Sequence, residues 1–71
     1  MWEFKLLSEY IELDNLLKAM DVAPTGAAAK MLILANSVKV NGVVETRIRC
    51  KLRAGDLIEI DEVGNDTILI V

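Results

Sequence analysis

The stretch SVKVNGVVETRIRCKLRAGD, residues 37–56, carries the strongest structural signal in the chain. It begins with VKVNGVV at 38–44, where valines alternate with Lys39 in the period of a half-buried strand. Asn41 and Gly42 follow, and both residue types tolerate the positive φ angles of a two-residue type I′ turn. The two valines after that turn begin a return strand. This segment therefore predicts a β-hairpin.

The second part of the same stretch is strongly basic. Apolar Ile48 and Cys50 alternate with cations, which predicts a strand or an extended loop with one face on the core and a positive opposite face. Glu45 is the only acidic residue in the stretch before the next turn, and the cations after the hairpin are Arg47, Arg49, Lys51 and Arg53. The Arg-Ala-Gly-Asp segment at 53–56 predicts that turn.

The formal net charge of -3 conceals a segregation of charge along the chain. Residues 1–26 contain two basic and five acidic residues, residues 27–53 contain six basic and one acidic, and residues 54–71 contain five acidic residues and no basic one. A surface that serves only solubility mixes the two signs. We therefore interpret the basic stretch as a patch that binds a polyanion, with an ordinary solvated surface as the alternative interpretation.

Two helices are predicted before the hairpin. From Glu12 onward the apolar residues follow a helical period, in a stripe formed by Leu13, Leu16, Leu17 and Met20. This helix should end near Asp21, because Pro24 disfavours helical geometry in the residue before it. Thr25 is the predicted cap of a second helix, in which Lys30 faces solvent and the core-facing residues are Ala28, Met31, Leu32 and Ala35.

Strands are predicted at both ends of the chain. Residues 2–7 alternate in the period of a strand, and Trp2 and Phe4 share the face that we assign to the core. The C-terminal part predicts a strand at 57–61, a turn at 63–66 and a final strand at 67–71, which can pair with the first strand.

Together these elements predict an α+β fold in a single domain spanning residues 1–71. A helical hairpin packs on a small, twisted, mostly antiparallel sheet of four to five strands. A chain of 71 residues buries only roughly 60% of its surface on folding, so it has room for one small core.

The composition argues against several classes of function. The chain has no histidine and one cysteine, Cys50, which excludes an internal disulfide and the usual transition-metal clusters. It has no phosphate-binding loop and no set of acid, base and nucleophile that could support catalysis. No apolar segment approaches the ~18 residues that span a membrane, and the first residues lack the pattern of a signal peptide. We expect a non-catalytic, cytoplasmic protein without cofactor, metal or membrane contact.

The order of these elements resembles that of a known RNA-binding family. The chain is similar to the αL motif, the domain named after small ribosomal subunit protein four, over about residues 11–61. The resemblance is carried by ELDNLLKAM at 12–20, TGAAAKMLI at 25–33, VKVNG at 38–42 and LRAGDLIEI at 52–60. In length, and in ETRIRCKL at 45–52, the chain resembles the small stand-alone bacterial members of the YbcJ and YaaA type.

The resemblance implies binding of structured RNA, such as rRNA or tRNA, by the second helix and the hairpin after it. Larger family members often carry Arg where Glu12 stands and Ser-Arg where this chain has Thr25 and Gly26, so two cations of the usual RNA face are absent. The residues implicated position by position are Lys30, Lys39, Asn41, Arg47, Arg49, Lys51 and Arg53. The expected partners are RNA and a ribosome or an acidic protein, and the chain is expected to be a monomer.

Three alternatives stay open at the level of sequence. The basic face could dock an acidic protein, in which case the chain is an interaction adaptor and RNA is incidental. Asn41 is first of all a turn former, with a nucleotide contact as the second interpretation. Cys50 is interpreted as a core residue, with a reactive thiol as the alternative.

The aromatic residues Trp2, Phe4 and Tyr10 lie in the acidic N-terminal region. Stacking of unpaired bases is therefore disfavoured relative to recognition of RNA backbone and shape.

Overall fold

The computed structural model describes residues 2–61 and 66–71. The predicted turn at 63–66 lies outside the described residues except for Asp66, which opens the last strand. The elements in chain order are β1 (Trp2–Phe4), β2 (Ile11–Glu12), α1 (Leu13–Ala19), α2 (Gly26–Leu34), β3 (Val38–Val40), β4 (Val43–Val44), β5 (Lys51–Leu52), β6 (Leu57–Ile60) and β7 (Asp66–Ile70).

Five of the strands form one sheet in the order β1-β7-β6-β3-β4. Only β1 and β7 run parallel in it, so the predicted α+β class with a mostly antiparallel sheet is confirmed. The predicted pairing of the two ends of the chain is also confirmed, since Trp2 stands opposite Ile68 and Phe4 opposite Ile70. The strands β2 and β5 form a separate antiparallel pair, which the sequence pattern did not predict.

The predicted hairpin is present at one edge of the five-stranded sheet. Val40 pairs with Val43 across the turn between β3 and β4. Asn41 has a φ of 53° and Gly42 a φ of 84°, the left-handed geometry that both central residues of a type I′ turn require. The hairpin then joins the rest of the sheet through β6, where Val38 stands opposite Ile60.

The core lies between the two helices and one face of the sheet. The predicted stripe of α1 is confirmed, because Leu13, Leu16 and Leu17 have no solvent-exposed surface. The sheet contributes alternate residues of its strands, as expected for a sheet with one covered face, and these are Val38, Ile58, Ile60, Ile68 and Ile70.

The face that α2 turns to the core differs from the prediction. The Thr25 cap is confirmed, since its Oγ1 accepts a hydrogen bond of 3.1 Å from the amide of Ala28. Of the four residues predicted to face the core, Ala28 and Leu32 pack against it, whereas Met31 is 72% exposed and Ala35 is exposed as well. The fully buried residues are Ala29 and Ile33, which were not predicted. Apolar residues occur on every side of this helix, so packing against α1, rather than the apolar pattern, decides which side is buried.

Trp2 is likewise more exposed than predicted. Its exposed fraction is 59%, whereas Phe4 on the same face packs against the core. The strand β1 is one of the two edge strands of the sheet, and Trp2 stands at its start, so β7 is the one strand beside it.

Among the described residues, no helix has the length and apolar character needed to cross a membrane.

We predict that truncation at Ile33 and at Met31 will have very different effects on stability. Ile33→Ala leaves a cavity in the core and should lower the free energy of unfolding by about 2–5 kcal/mol. Met31→Ala removes an exposed side chain and should change it by less than about 0.5 kcal/mol. Urea unfolding followed by circular dichroism measures both values, and equal losses would contradict the orientation of α2.

Candidate nucleic-acid interface

The segment 45–53, here called the basic loop, is fixed to the start of α1 by backbone hydrogen bonds. The amide of Leu13 donates to the carbonyl of Cys50 at 2.9 Å, and the amide of Asp14 donates to the carbonyl of Ile48 at 3.1 Å. The first amides of a helix have no partner within the helix, and Glu12 provides no side-chain cap here. The basic loop therefore acts as the backbone cap of α1, which holds the loop in place.

The side chains of the basic loop alternate between core and solvent. Ile48 and Cys50 pack against the core and Leu52 is fully buried. Residues 45–50 form a loop and not the alternative strand. This loop is not extended throughout, because it contains a turn closed by the Cys50 amide, which donates to the Arg47 carbonyl at 3.2 Å. Four exposed cations line one open depression and are called the basic cluster: Arg47, Arg49, Lys51 and Arg53.

Within the part of the chain that the structure describes, Arg47 is the member of the basic cluster that forms an ion pair. Its Nε and Nη2 donate to the two carboxylate oxygens of Glu45 at 3.1 and 2.9 Å, and its amide donates to the same carboxylate at 2.9 Å. These hydrogen bonds, with the side-chain contact to Arg47 as the largest cause, lower the pKa of Glu45 from 4.5 to about 2. The guanidinium remains largely exposed, but Glu45 already occupies the fork formed by its Nε and Nη2.

Tyr10 lies beside the basic cluster although it belongs to the acidic N-terminal region of the sequence. Ile11 stands opposite Leu52 in the β2–β5 pair, so one step further along the same register Tyr10 faces Arg53. The ring centroid of Tyr10 is 4.9 Å from Nζ of Lys51 and 5.9 Å from Cζ of Arg53. Base stacking was disfavoured because the aromatic residues lie in the acidic N-terminal region of the sequence. That reason does not hold for Tyr10, which the fold brings to the cations. Tyr10 reaches this position through the pairing of β2 with β5. A pair of strands only two residues long has almost no recognisable pattern in sequence.

Lys39 lies on another surface, away from the basic cluster. It stands opposite Glu59 on the uncovered face of the five-stranded sheet, and Glu59 stands opposite Thr67. The depression that Lys39 lines is also bordered by Glu59, Asp61 and Asp66. Its charge is therefore surrounded by carboxylates, and the structure does not group it with the arginines that follow it in sequence.

The side chain of Asn41 links two turns. Its Nδ2 donates to Oδ1 of Asp56 at 3.0 Å, and its Oδ1 accepts from the amide of Leu57 at 2.9 Å. Asp56 in turn accepts a hydrogen bond of 2.8 Å from the amide of Arg53, which confirms its predicted role in closing the second turn. Asn41 is thus a turn former that also braces the end of the basic loop, and its proposed nucleotide contact stays a prediction.

The remaining predicted residue, Lys30, is exposed on α2 and forms no hydrogen bond or ion pair within the described part of the chain. At the start of α2, a Cβ at Gly26 would stand 3.9 Å from Cδ of Lys18, so the stem of Lys18 occupies the space beside this glycine. Lys18 is exposed and was not singled out from sequence. Glu12, the second departure from the family pattern, stands opposite Lys51 in the β2–β5 pair.

Cys50 is a free, partly buried cysteine whose surroundings disfavour a reactive thiol. Burial is the main cause that raises the pKa of the Cys50 thiol, and its sulfur lies 3.7 Å from Nη2 of Arg47. A raised thiol pKa disfavours the reactive thiolate, in agreement with a packing role. Within residues 2–61 and 66–71, no group of His, Cys, Asp and Glu side chains is arranged to hold a metal ion.

Comparison with known proteins agrees with this architecture. The sequence profile of the S4 domain matches residues 4–71, and the chain belongs to this family. YbcJ of Escherichia coli (strain K12) is 47% identical over 49 residues, which cover 69% of this chain and 70% of YbcJ, and YbcJ of Shigella flexneri matches equally well. The solution structure of Escherichia coli YbcJ, reported to reveal an αL motif involved in RNA binding, superposes with a TM-score of 0.73 at 38% identity. That match covers 100% of this chain and 87% of the YbcJ chain.

We predict that the Glu45–Arg47 pair makes stability depend on pH in acid. Because the folded pKa of Glu45 lies below its unfolded value, its contribution is fully present above pH 4.5 and is lost as the pH falls toward about 2. Glu45→Gln should therefore be less stable than the parent at pH 6, and this difference should shrink between pH 4.5 and 2. Thermal unfolding at a series of pH values measures it.

The matched control for this prediction is Glu9→Gln, which makes the same change of charge. Glu9 is exposed and has no hydrogen-bond partner among the described residues. Its substitution should leave the pH dependence of unfolding almost unchanged. If Glu45→Gln and Glu9→Gln behave alike, the Glu45–Arg47 pair does not stabilise the loop.

Proposed function

We propose that this chain binds structured RNA, of the rRNA or tRNA class, through the basic cluster and without catalysis. One observation carries the proposal: four cations spread over seven positions of sequence line a single depression on a loop that is fixed at both ends. Membership of the S4 domain family and the similarity to YbcJ, whose αL motif is reported to be involved in RNA binding, support it.

The members of the basic cluster whose side chains form no ion pair among the described residues are Arg49, Lys51 and Arg53. These three cations are available to contact phosphate. A guanidinium makes two parallel hydrogen bonds to a phosphate, whereas an ammonium acts as a mobile point charge. A fixed loop presents these groups at constant spacing, which suits an RNA whose phosphates are themselves held by a fold. With roughly three phosphates neutralised, the slope of log affinity against log salt should be about -2 to -3.

The acidic residues restrict the binding of RNA to one surface of the protein. Glu59, Asp61 and Asp66 surround Lys39 on the sheet, so a polyanion gains little there. Glu45 occupies the fork of Arg47 within the basic cluster itself. We therefore propose that binding is of moderate affinity and strongly dependent on salt.

The proposal predicts that two substitutions with the same change of charge will differ in effect. Arg49→Ala removes a free cation of the basic cluster and should weaken RNA binding roughly three- to tenfold, with a salt slope shallower by about 1. Lys39→Ala also removes one cation but on the acidic sheet surface, and should change affinity much less. Fluorescence anisotropy with a labelled rRNA hairpin, across a salt series, measures affinity and slope.

The same titrations separate RNA binding from an adaptor function. Losses that add up with each cation removed, over RNAs of different sequence, indicate phosphate contact. Binding that survives Arg49→Ala and Lys51→Ala together, or no saturable binding at low salt, would refute the RNA proposal. Binding of an acidic protein that is lost when one dominant arginine is replaced would instead support the adaptor function.

We also predict that Glu45 restrains the affinity of the basic cluster. Glu45→Gln releases the fork of Arg47 for phosphate, so the variant should bind the same RNA hairpin roughly three- to tenfold more tightly and with a salt slope steeper by about 1. Glu3→Gln makes the same change of charge on β1, in the other sheet, and serves as the control. Equal effects of the two substitutions would mean that Arg47 gains no phosphate contact.

A further inference from the structure

Tyr10 occupies a position that phosphate binding alone does not explain. In the β2–β5 pair, Ile11 and Leu52 point into the core, and the opposite face carries the residues on either side of them. That outer face brings Tyr10 together with Lys51 and Arg53. An aromatic ring and two cations therefore share one exposed surface at the edge of the basic cluster.

The position of Tyr10 is fixed, but its functional groups remain available. The hydroxyl of Ser8 donates to the carbonyl of Tyr10 at 3.0 Å, and the neighbouring Ile11 is anchored in the core, so the backbone is held on both sides. The ring is only half-buried, and its hydroxyl makes no hydrogen bond within residues 2–61 and 66–71. A half-buried tyrosine with an unused hydroxyl is well suited to contact a ligand.

Tyr10 also borders a second depression. Polar side chains line it, including Ser8, Glu9, Glu12 and Asn15. Carboxylate, amide and hydroxyl groups can hydrogen-bond to the edge of a nucleobase. Both cations and hydrogen-bonding groups thus lie near Tyr10.

We propose that Tyr10 is the stacking platform for an unpaired nucleotide of the RNA, an inference that rests on the proposed function. The base stacks on the ring, and the adjoining phosphates bind Lys51 and Arg53. In the free protein the Lys51 ammonium lies over the ring, and a phosphate draws this flexible side chain away and uncovers the ring. The preferred ligand is accordingly a structured RNA with a bulged or looped-out nucleotide, rather than a continuous duplex.

The test compares two RNA hairpins with identical stems, one of which carries a single-nucleotide bulge. Stacking of one base should make the parent protein bind the bulged hairpin about tenfold more tightly than the paired one. Tyr10→Leu should lose this preference but keep its affinity for the paired hairpin, and Tyr10→Phe should keep the preference. Trp2→Leu, which removes an aromatic residue exposed on the other sheet, should change neither affinity.

A second measurement needs no variant and so does not depend on the folding of Tyr10→Leu. With the fluorescent base 2-aminopurine at the bulge, emission should fall when the parent protein binds, because the base stacks on the ring. Unchanged emission at saturation, or a preference for the bulge that survives in folded Tyr10→Leu, would overturn the inference.

The two proposals can fail separately. Binding of both hairpins with equal affinity, still dependent on Arg49 and Lys51, removes the stacking role of Tyr10 and leaves phosphate recognition intact. Absence of saturable binding to either hairpin at low salt removes the proposed function, and the stacking inference with it.

Discussion

The architecture of the candidate site depends on the hydrogen bonds between the start of α1 and the basic loop. Leu13 and Asp14 need acceptors for their amides, and the carbonyls of Cys50 and Ile48 provide them. Since the side chains of Ile48 and Cys50 also pack against the core, the loop is held through backbone and side chain together. The residues between and beside them must then point outward. The contacts that form the small core of this 71-residue chain therefore also orient the cations toward solvent.

Charge in this protein acts through local partners and not through the net value. The basic stretch of the sequence divides in three dimensions into cations with different surroundings. Lys39 lies among carboxylates on the sheet, and Arg47 is held by Glu45. Within residues 2–61 and 66–71, the cations of the basic cluster that form no ion pair are Arg49, Lys51 and Arg53. The surface that can attract a polyanion is consequently smaller and better defined than six cations in 27 positions of sequence suggest. Such a restricted patch favours selectivity over high affinity.

Sequence predicted those features whose cause is local. The Asn41-Gly42 turn, the α1 stripe and the Thr25 cap each depend on a few neighbouring residues, and all three are confirmed. The core-facing side of α2 was predicted only in part, since Ala28 and Leu32 pack against the core but Ala29 and Ile33 are the buried residues. Apolar residues surround this helix, and packing against α1 selects the side that is buried. The positions of Lys39 and Tyr10 depend on strand pairs that join residues distant in sequence, β3 with β6 and β2 with β5. No local pattern contains that information. The sequence therefore predicted the four cations of the basic cluster, but neither the separation of Lys39 from them nor the position of Tyr10 beside them.

The most direct test of this account is to map the RNA-contacting residues by nuclear magnetic resonance. Amide shifts of isotope-labelled protein would be followed during titration with an rRNA hairpin that contains a bulged nucleotide. The account predicts that the largest shifts fall on Tyr10 and on the segment from Arg49 to Arg53, and that Lys39, Glu59 and Thr67 on the sheet change little. Shifts concentrated on that sheet face or on the exposed side of α2 near Met31, with the basic loop unaffected, would contradict it.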